Sequence, residues 1–82
     1  SNRTINVGKE ILRLPRKVFL ITHHLINNKN RVIKRDKLLA EIWGTDVIVG
    51  DRTIDVHIRK IREALPTAPI KTIKGVGYIW RD

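Results

Sequence analysis

Cysteine and methionine are both absent from this 82-residue chain. Without cysteine there is no disulfide staple and no thiolate metal ligand, so stability must come from packing. Aromatic residues are scarce at 5%, which disfavours a surface built to stack single-stranded bases. No apolar run approaches the roughly 20 residues a membrane span requires, and no signal-like stretch opens the sequence; a soluble, cytoplasmic protein is expected. Acidic residues are also few, 8 against 17 Lys and Arg, for a net charge of +9. So large an excess on so small a surface favours a polyanionic partner, nucleic acid first and acidic membrane second. The excess is uneven: residues 1–37 hold ten basic side chains against two acids, residues 38–82 seven against six.

What is present fits one domain with a small core, since 41% of residues are hydrophobic and no linker, repeat or low-complexity segment divides the chain. Thr4 to Val7 and Glu10 to Leu14, parted by Gly8-Lys9, predict a short hairpin. Pro15 suits the first turn of a helix, and Val18, Ile21, Thr22, Leu25 and Ile26 then fall on one stripe up to the Asn27-Asn28-Lys29-Asn30 turn. Val32-Ile33 is a brief extended pair. Arg35 to Trp43, with Leu38, Leu39 and Ile42 at helical spacing, predicts a second helix. A third opens at Asp51 or Arg52-Thr53 and is stopped by Pro66; Pro69 precedes a closing hairpin. The expected order is strand, strand, helix, helix, helix, strand, strand.

The third helix has two distinct faces. Ile54, Ile58, Ile61 and Leu65 lie within roughly 60° of one another, which defines the core face. Opposite them stand Arg52, Val56, Arg59, Lys60 and Glu63, flanked by Thr53 and His57 on one side and by Asp55 and Arg62 on the other. A solvated face would also carry ion-pair spacings such as Asp55-Arg59 and Arg59-Glu63. It gives no reason for Val56, which lowers helix propensity. In a DNA major groove, a valine beside Arg and Lys has a use: contact with a thymine methyl next to hydrogen bonds to guanine.

Other motifs carry less. Gly75-Val76-Gly77 is followed by strand-favouring residues rather than a helix, so it is a turn and not a phosphate cradle. Ile73 and Ile79 are expected to pin that hairpin to the core, leaving Thr72, Lys74 and Tyr78 outward. His23 and His24, adjacent on a helix, diverge by about 100° and cannot share a metal. No nucleophile-base-acid grouping and no Walker or dinucleotide fingerprint is present, so neither enzyme activity, cofactor nor metal is expected.

Three stretches carry a resemblance: Trp43-Gly44, Asp51 to Arg62 (DRTIDVHIRKIR), and Ile70 to Tyr78 (IKTIKGVGY). Together they resemble the C-terminal effector domain of OmpR/PhoB-type two-component response regulators, and the similarity extends from about residue 4. It implies an α+β winged helix-turn-helix: a short N-terminal antiparallel sheet, three helices and a C-terminal β-hairpin wing. The resemblance makes residues 52–65 the major-groove recognition helix and residues 70–80 the minor-groove wing. Position by position, it assigns Val56, Arg59 and Lys60 to base reading, with Lys74 where the family commonly has a minor-groove arginine. Trp43, Arg52, His57, Arg62, Thr72 and Tyr78 match phosphate contacts. Val47, Ile48 and Val49, in the loop between the second and third helices, match a segment that meets RNA polymerase in some members.

The chain departs from the family pattern at helix starts: Pro15 and Val18 replace a capping pair, and Lys34 stands where Ser or Thr often caps the second helix. Two N-terminal strands are visible where about four are usual. The resemblance further implies double-stranded DNA as partner, two copies on direct repeats, and a preceding receiver domain through which a sensor kinase acts. The chain is therefore expected to be one winged-helix domain, residues 1–82, excised from a two-domain regulator. The competing reading is a winged helix used for protein contact, with incidental DNA affinity.

Overall fold

A proline cannot donate a backbone hydrogen bond, and this sets where the first helix begins. In the computed structural model, which describes residues 4–7, 10–44, 50 and 52–82, α1 runs Arg16–Asn27 with Pro15 as its N-cap rather than inside its first turn. No side chain caps it; the Pro15 carbonyl accepts the Phe19 N–H at 2.8 Å to begin the ladder. At the other end Asn28 closes the helix, its amide donating to the His24 carbonyl at 2.8 Å. Asn30, with φ of 68°, then reverses the chain in a conformation asparagine tolerates better than most residues.

Before α1, β1 (Thr4–Val7) and β2 (Glu10–Arg13) pair antiparallel, with Ile5 opposite Leu12. After it come β3 (Val32–Lys34) and α2 (Arg35–Trp43), the latter started by Lys34 without a side-chain cap and with Asp36 in its first turn. An acid there complements the helix N-terminus. The third helix, α3, spans Arg52–Ala64, and the hairpin strands are β4 (Ile70–Ile73) and β5 (Gly77–Trp80).

The brief extended pair Val32-Ile33 proves to be part of a sheet. The strand order is β3-β5-β4, so β5 is central, and Ile33 and Thr72 flank Tyr78 from its two sides. Gly77 makes this possible: a Cβ there would lie 2.0 Å from the Ile33 carbonyl oxygen. Lys74-Gly75 forms the turn, with the Val76 N–H donating to the Ile73 carbonyl at 2.9 Å and Gly75 at φ of 75°. A positive φ at that third turn position is the type II geometry that favours glycine.

On the helices the core is the predicted one; in the hairpin Ile79 is buried, while Ile73, expected beside it, is only half-buried. Val18, Ile21, Thr22 and Leu25 are buried on α1, Leu38 on α2, and Ile54, Ile58 and Ile61 on α3, with Leu65 just beyond it. Ile26, Leu39 and Ile42 are half-buried at its margin. Buried Thr22 satisfies its hydroxyl by donating to the Val18 carbonyl at 2.8 Å. The helices α2 and α3 both pack on α1, which also supports β5. Among the described residues no helix is long and apolar enough to cross a membrane.

Candidate nucleic-acid interface

Because α3 buries one stripe completely, its other face is presented as a rigid unit. Val56 is 53% exposed, and Arg52, Arg59, Lys60, Arg62 and Glu63 are exposed around it. Arg59 Nε meets Glu63 at 3.4 Å, both side chains largely in solvent. Such a pair contributes little and readily gives up the guanidinium to a competing acceptor. Lys74 stands exposed in the turn of the wing.

Five of the six expected phosphate contacts, Trp43, His57, Arg62, Thr72 and Tyr78, meet other protein groups. Trp43, at the end of α2, packs edge-on against His57 with centroids 5.0 Å apart, and Lys17 Nζ lies 5.0 Å from the indole centroid. The same ammonium donates to the Ile42 carbonyl at 3.2 Å, close to the C-terminus of α2 where a cation is favoured. His57 Nδ1 donates to the Thr53 carbonyl at 2.8 Å, so Nδ1 bears the proton and the ring orientation is fixed. Lys17 is a participant that sequence spacing did not indicate, since it sits 26 residues before Trp43.

Tyr78 corrects an expectation. Strand alternation in the sequence puts it outward with Thr72 and Lys74, yet only 6% of it is exposed, and its hydroxyl donates to Asp55 Oδ1 at 2.5 Å. The cause is the face it occupies: Tyr78 lies in the buried cluster on the side of α3, with Asp55 at its hydroxyl and Arg62 over its ring. Burial first, then the hydrogen bond and the negative charge of Asp55, push the phenol up to about 12, with Arg62 and Arg35 opposing.

Asp55 does not pair with Arg59 as the helical spacing allowed. Its Oδ2 receives Arg35 Nη1 at 3.0 Å, from the first residue of α2. At the far end of α3, Arg62 Nη2 donates to the Ile70 carbonyl at 3.1 Å and to Thr72 Oγ1 at 2.9 Å. The Arg62 guanidinium also lies 5.8 Å from the Tyr78 ring centroid. Thus Arg62 and Thr72, expected as separate phosphate contacts, hold each other. Asp55 and Arg35 had no signal beyond charge, because their partners come from distant segments. Val47, Ile48 and Val49 lie outside the described residues.

A helix pair with a basic outer helix, joined to a glycine-turned hairpin at its side, defines a winged helix-turn-helix. Residues 8–80 match the family described as "Transcriptional regulatory protein, C terminal", and the chain belongs to that family. It is 37% identical over 82 residues to the phosphate regulon transcriptional regulatory protein PhoB of Escherichia coli, covering 95% of this chain and 36% of PhoB. The chain thus spans just over a third of the length of the curated relatives it matches. The DNA-binding domain of Bacillus subtilis CssR superposes with a TM-score of 0.81 at 31% identity, over 85% of this chain and 80% of that one. The Klebsiella pneumoniae RstA DNA-binding domain in complex with the RstA box gives 0.84 at 29% identity, over 98% and 84%. The family is one of DNA-binding transcription regulators and not of enzymes.

Proposed function

We propose that this domain binds double-stranded DNA sequence-specifically and regulates transcription as the effector part of a two-component response regulator in the bacterial cytoplasm. The observation that carries this is the outer face of α3, where exposed Val56, Arg59 and Lys60 back onto a fully buried isoleucine stripe. A rigid helix of this kind fits the major groove, with Arg59 and Lys60 donating to guanine and Val56 against thymine methyl groups. Lys74 enters the minor groove. Arg52, Trp43, His57, Arg62 and Thr72 hold the phosphate backbone, supplying affinity rather than sequence preference. Tyr78 acts behind them, through Asp55.

Two copies bind direct repeats, with Val47, Ile48 and Val49 meeting RNA polymerase and a sensor kinase acting through a receiver domain. The resemblance to the effector domains of the family is what supports these partners. The test is a binding-site selection from a random duplex library with Arg59→Ala and Lys60→Ala. Each should relax preference at one or two base pairs by roughly 1 to 3 kcal/mol. Unchanged preference in both variants refutes the base-reading assignment, and no footprint at moderate salt on genomic DNA favours a protein-contact module instead.

A further inference from the structure

We infer that Asp55 is a positioning residue for DNA reading: by holding Tyr78 it fixes the wing against α3, and so sets base preference at the wing without touching a base. The inference rests on the groove reading proposed above and deepens it.

Apolar packing holds the hairpin near α3, and polar groups fix its angle. The helix α3 packs chiefly on α1 and α2, while the three-stranded sheet packs on α1 through β5 and on α2 through β3. Beside the apolar core that α3 shares with Ile70 and Tyr78, two side-chain ties run directly from α3 to the sheet. The first is Tyr78 Oη to Asp55 Oδ1 at 2.5 Å, with the other carboxylate oxygen held by Arg35 at 3.0 Å. The second is Arg62 to Thr72 Oγ1 and the Ile70 carbonyl, at 2.9 and 3.1 Å. Thr72 and Tyr78 are register partners, so both ties land on one rung of the hairpin. On the helix they start about 10 Å apart, two turns along the axis. A sheet tied at one point can pivot about it; a second tie from a separated point on the helix restricts that pivot.

The lever is long enough to matter. Lys74 lies two residues beyond Thr72, about 7 Å further along the strand. A pivot of about 15°, the usual scatter of packing angles, would displace it by about 2 Å. The minor groove is only about 6 Å wide, and hydrogen bonds tolerate about half an ångström. A wing loosened by that amount still touches DNA and no longer reads it.

The experiment is a selection from a random duplex library with wild type, Tyr78→Phe and Asp55→Asn, alongside Lys74→Ala and Arg59→Ala. Tyr78→Phe keeps the ring in the core and removes only the tie. It should lose preference at the base pairs whose preference Lys74→Ala loses, keep it where Arg59→Ala loses it, and weaken binding roughly tenfold. Asp55→Asn should follow in the same direction. In the double variant with Lys74→Ala, Tyr78→Phe should add less than about twofold. Wing preference kept in Tyr78→Phe but lost in Lys74→Ala overturns the inference alone. An equal loss of affinity from Tyr78→Phe with and without Lys74 also overturns it, because a merely structural role behaves that way. Preference unchanged in Arg59→Ala and Lys74→Ala alike overturns the groove reading, and the inference with it. Should Tyr78→Phe fail to fold cooperatively, Asp55→Ala, which cuts the same tie from the half-exposed α3 side, carries the same test.

Discussion

Tyr78 is the only tyrosine in the chain, so its ionisation can be followed without interference from another phenol. In the folded protein its pKa is raised from 10.0 to about 12, first by burial and then by the hydrogen bond and charge of Asp55. Below pH 10 the phenol is protonated in both folded and unfolded chains, and its contribution to stability is fully present. Between pH 10 and 12 the unfolded chain releases the proton first, so stability falls by about 1.4 kcal/mol per pH unit. The total loss is about 3 kcal/mol once the folded pKa is passed. The assay is the near-ultraviolet phenolate absorbance against pH, with far-ultraviolet circular dichroism recorded on the same samples. The expected midpoint lies near 12 while helical signal persists, against about 10 in denaturant. Asp55→Asn should lower the midpoint without returning it to 10, because the burial remains. A midpoint near 10 with the helices intact would refute the placement of Tyr78 and its bond to Asp55.

The two wing glycines should differ in cost for separate reasons. Gly77→Ala drives a Cβ to 2.0 Å from the Ile33 carbonyl oxygen, forcing β3 from β5, and should lower unfolding free energy by roughly 3 kcal/mol in urea melts. An unchanged midpoint contradicts the close strand approach. Gly75→Ala meets nothing within 4 Å and pays only for its φ of 75°, roughly 1 to 2 kcal/mol; a loss as large as that of Gly77→Ala contradicts the turn geometry. Ile58→Ala, at a position 1% exposed, should cost roughly 2 to 5 kcal/mol. A loss under 1 kcal/mol would mean that α3 does not bury this stripe.

The order of elements was legible because it depends on local rules. A stripe at i, i+4, i+7 and i+11 makes Ile54, Ile58, Ile61 and Leu65 one face in any context, and its complement is automatically the outer face that presents Val56, Arg59 and Lys60. Pro66 stops a helix and Gly75 permits a tight turn wherever they stand. These features fix three helices, a closing hairpin and a basic outer helix face from the amino acids alone.

Which polar groups find one another was decided by the tertiary structure. Val32-Ile33 reads as an isolated extended pair until β5 arrives from more than 40 residues away to pair with it. That pairing makes β5 the central strand, with Tyr78 buried on the side of α3 and its hydroxyl at Asp55. Asp55 has a partner at helical spacing in Arg59 but bonds Arg35 and Tyr78, at separations of 20 and 23 residues. Spacing along one helix offers an exposed pair worth a few tenths of a kcal/mol, whereas folding brings a part-buried arginine and a buried phenol to the same carboxylate, where desolvation strengthens both bonds. Side-chain periodicity says which face a residue occupies; only the packed chain says what waits on the other side.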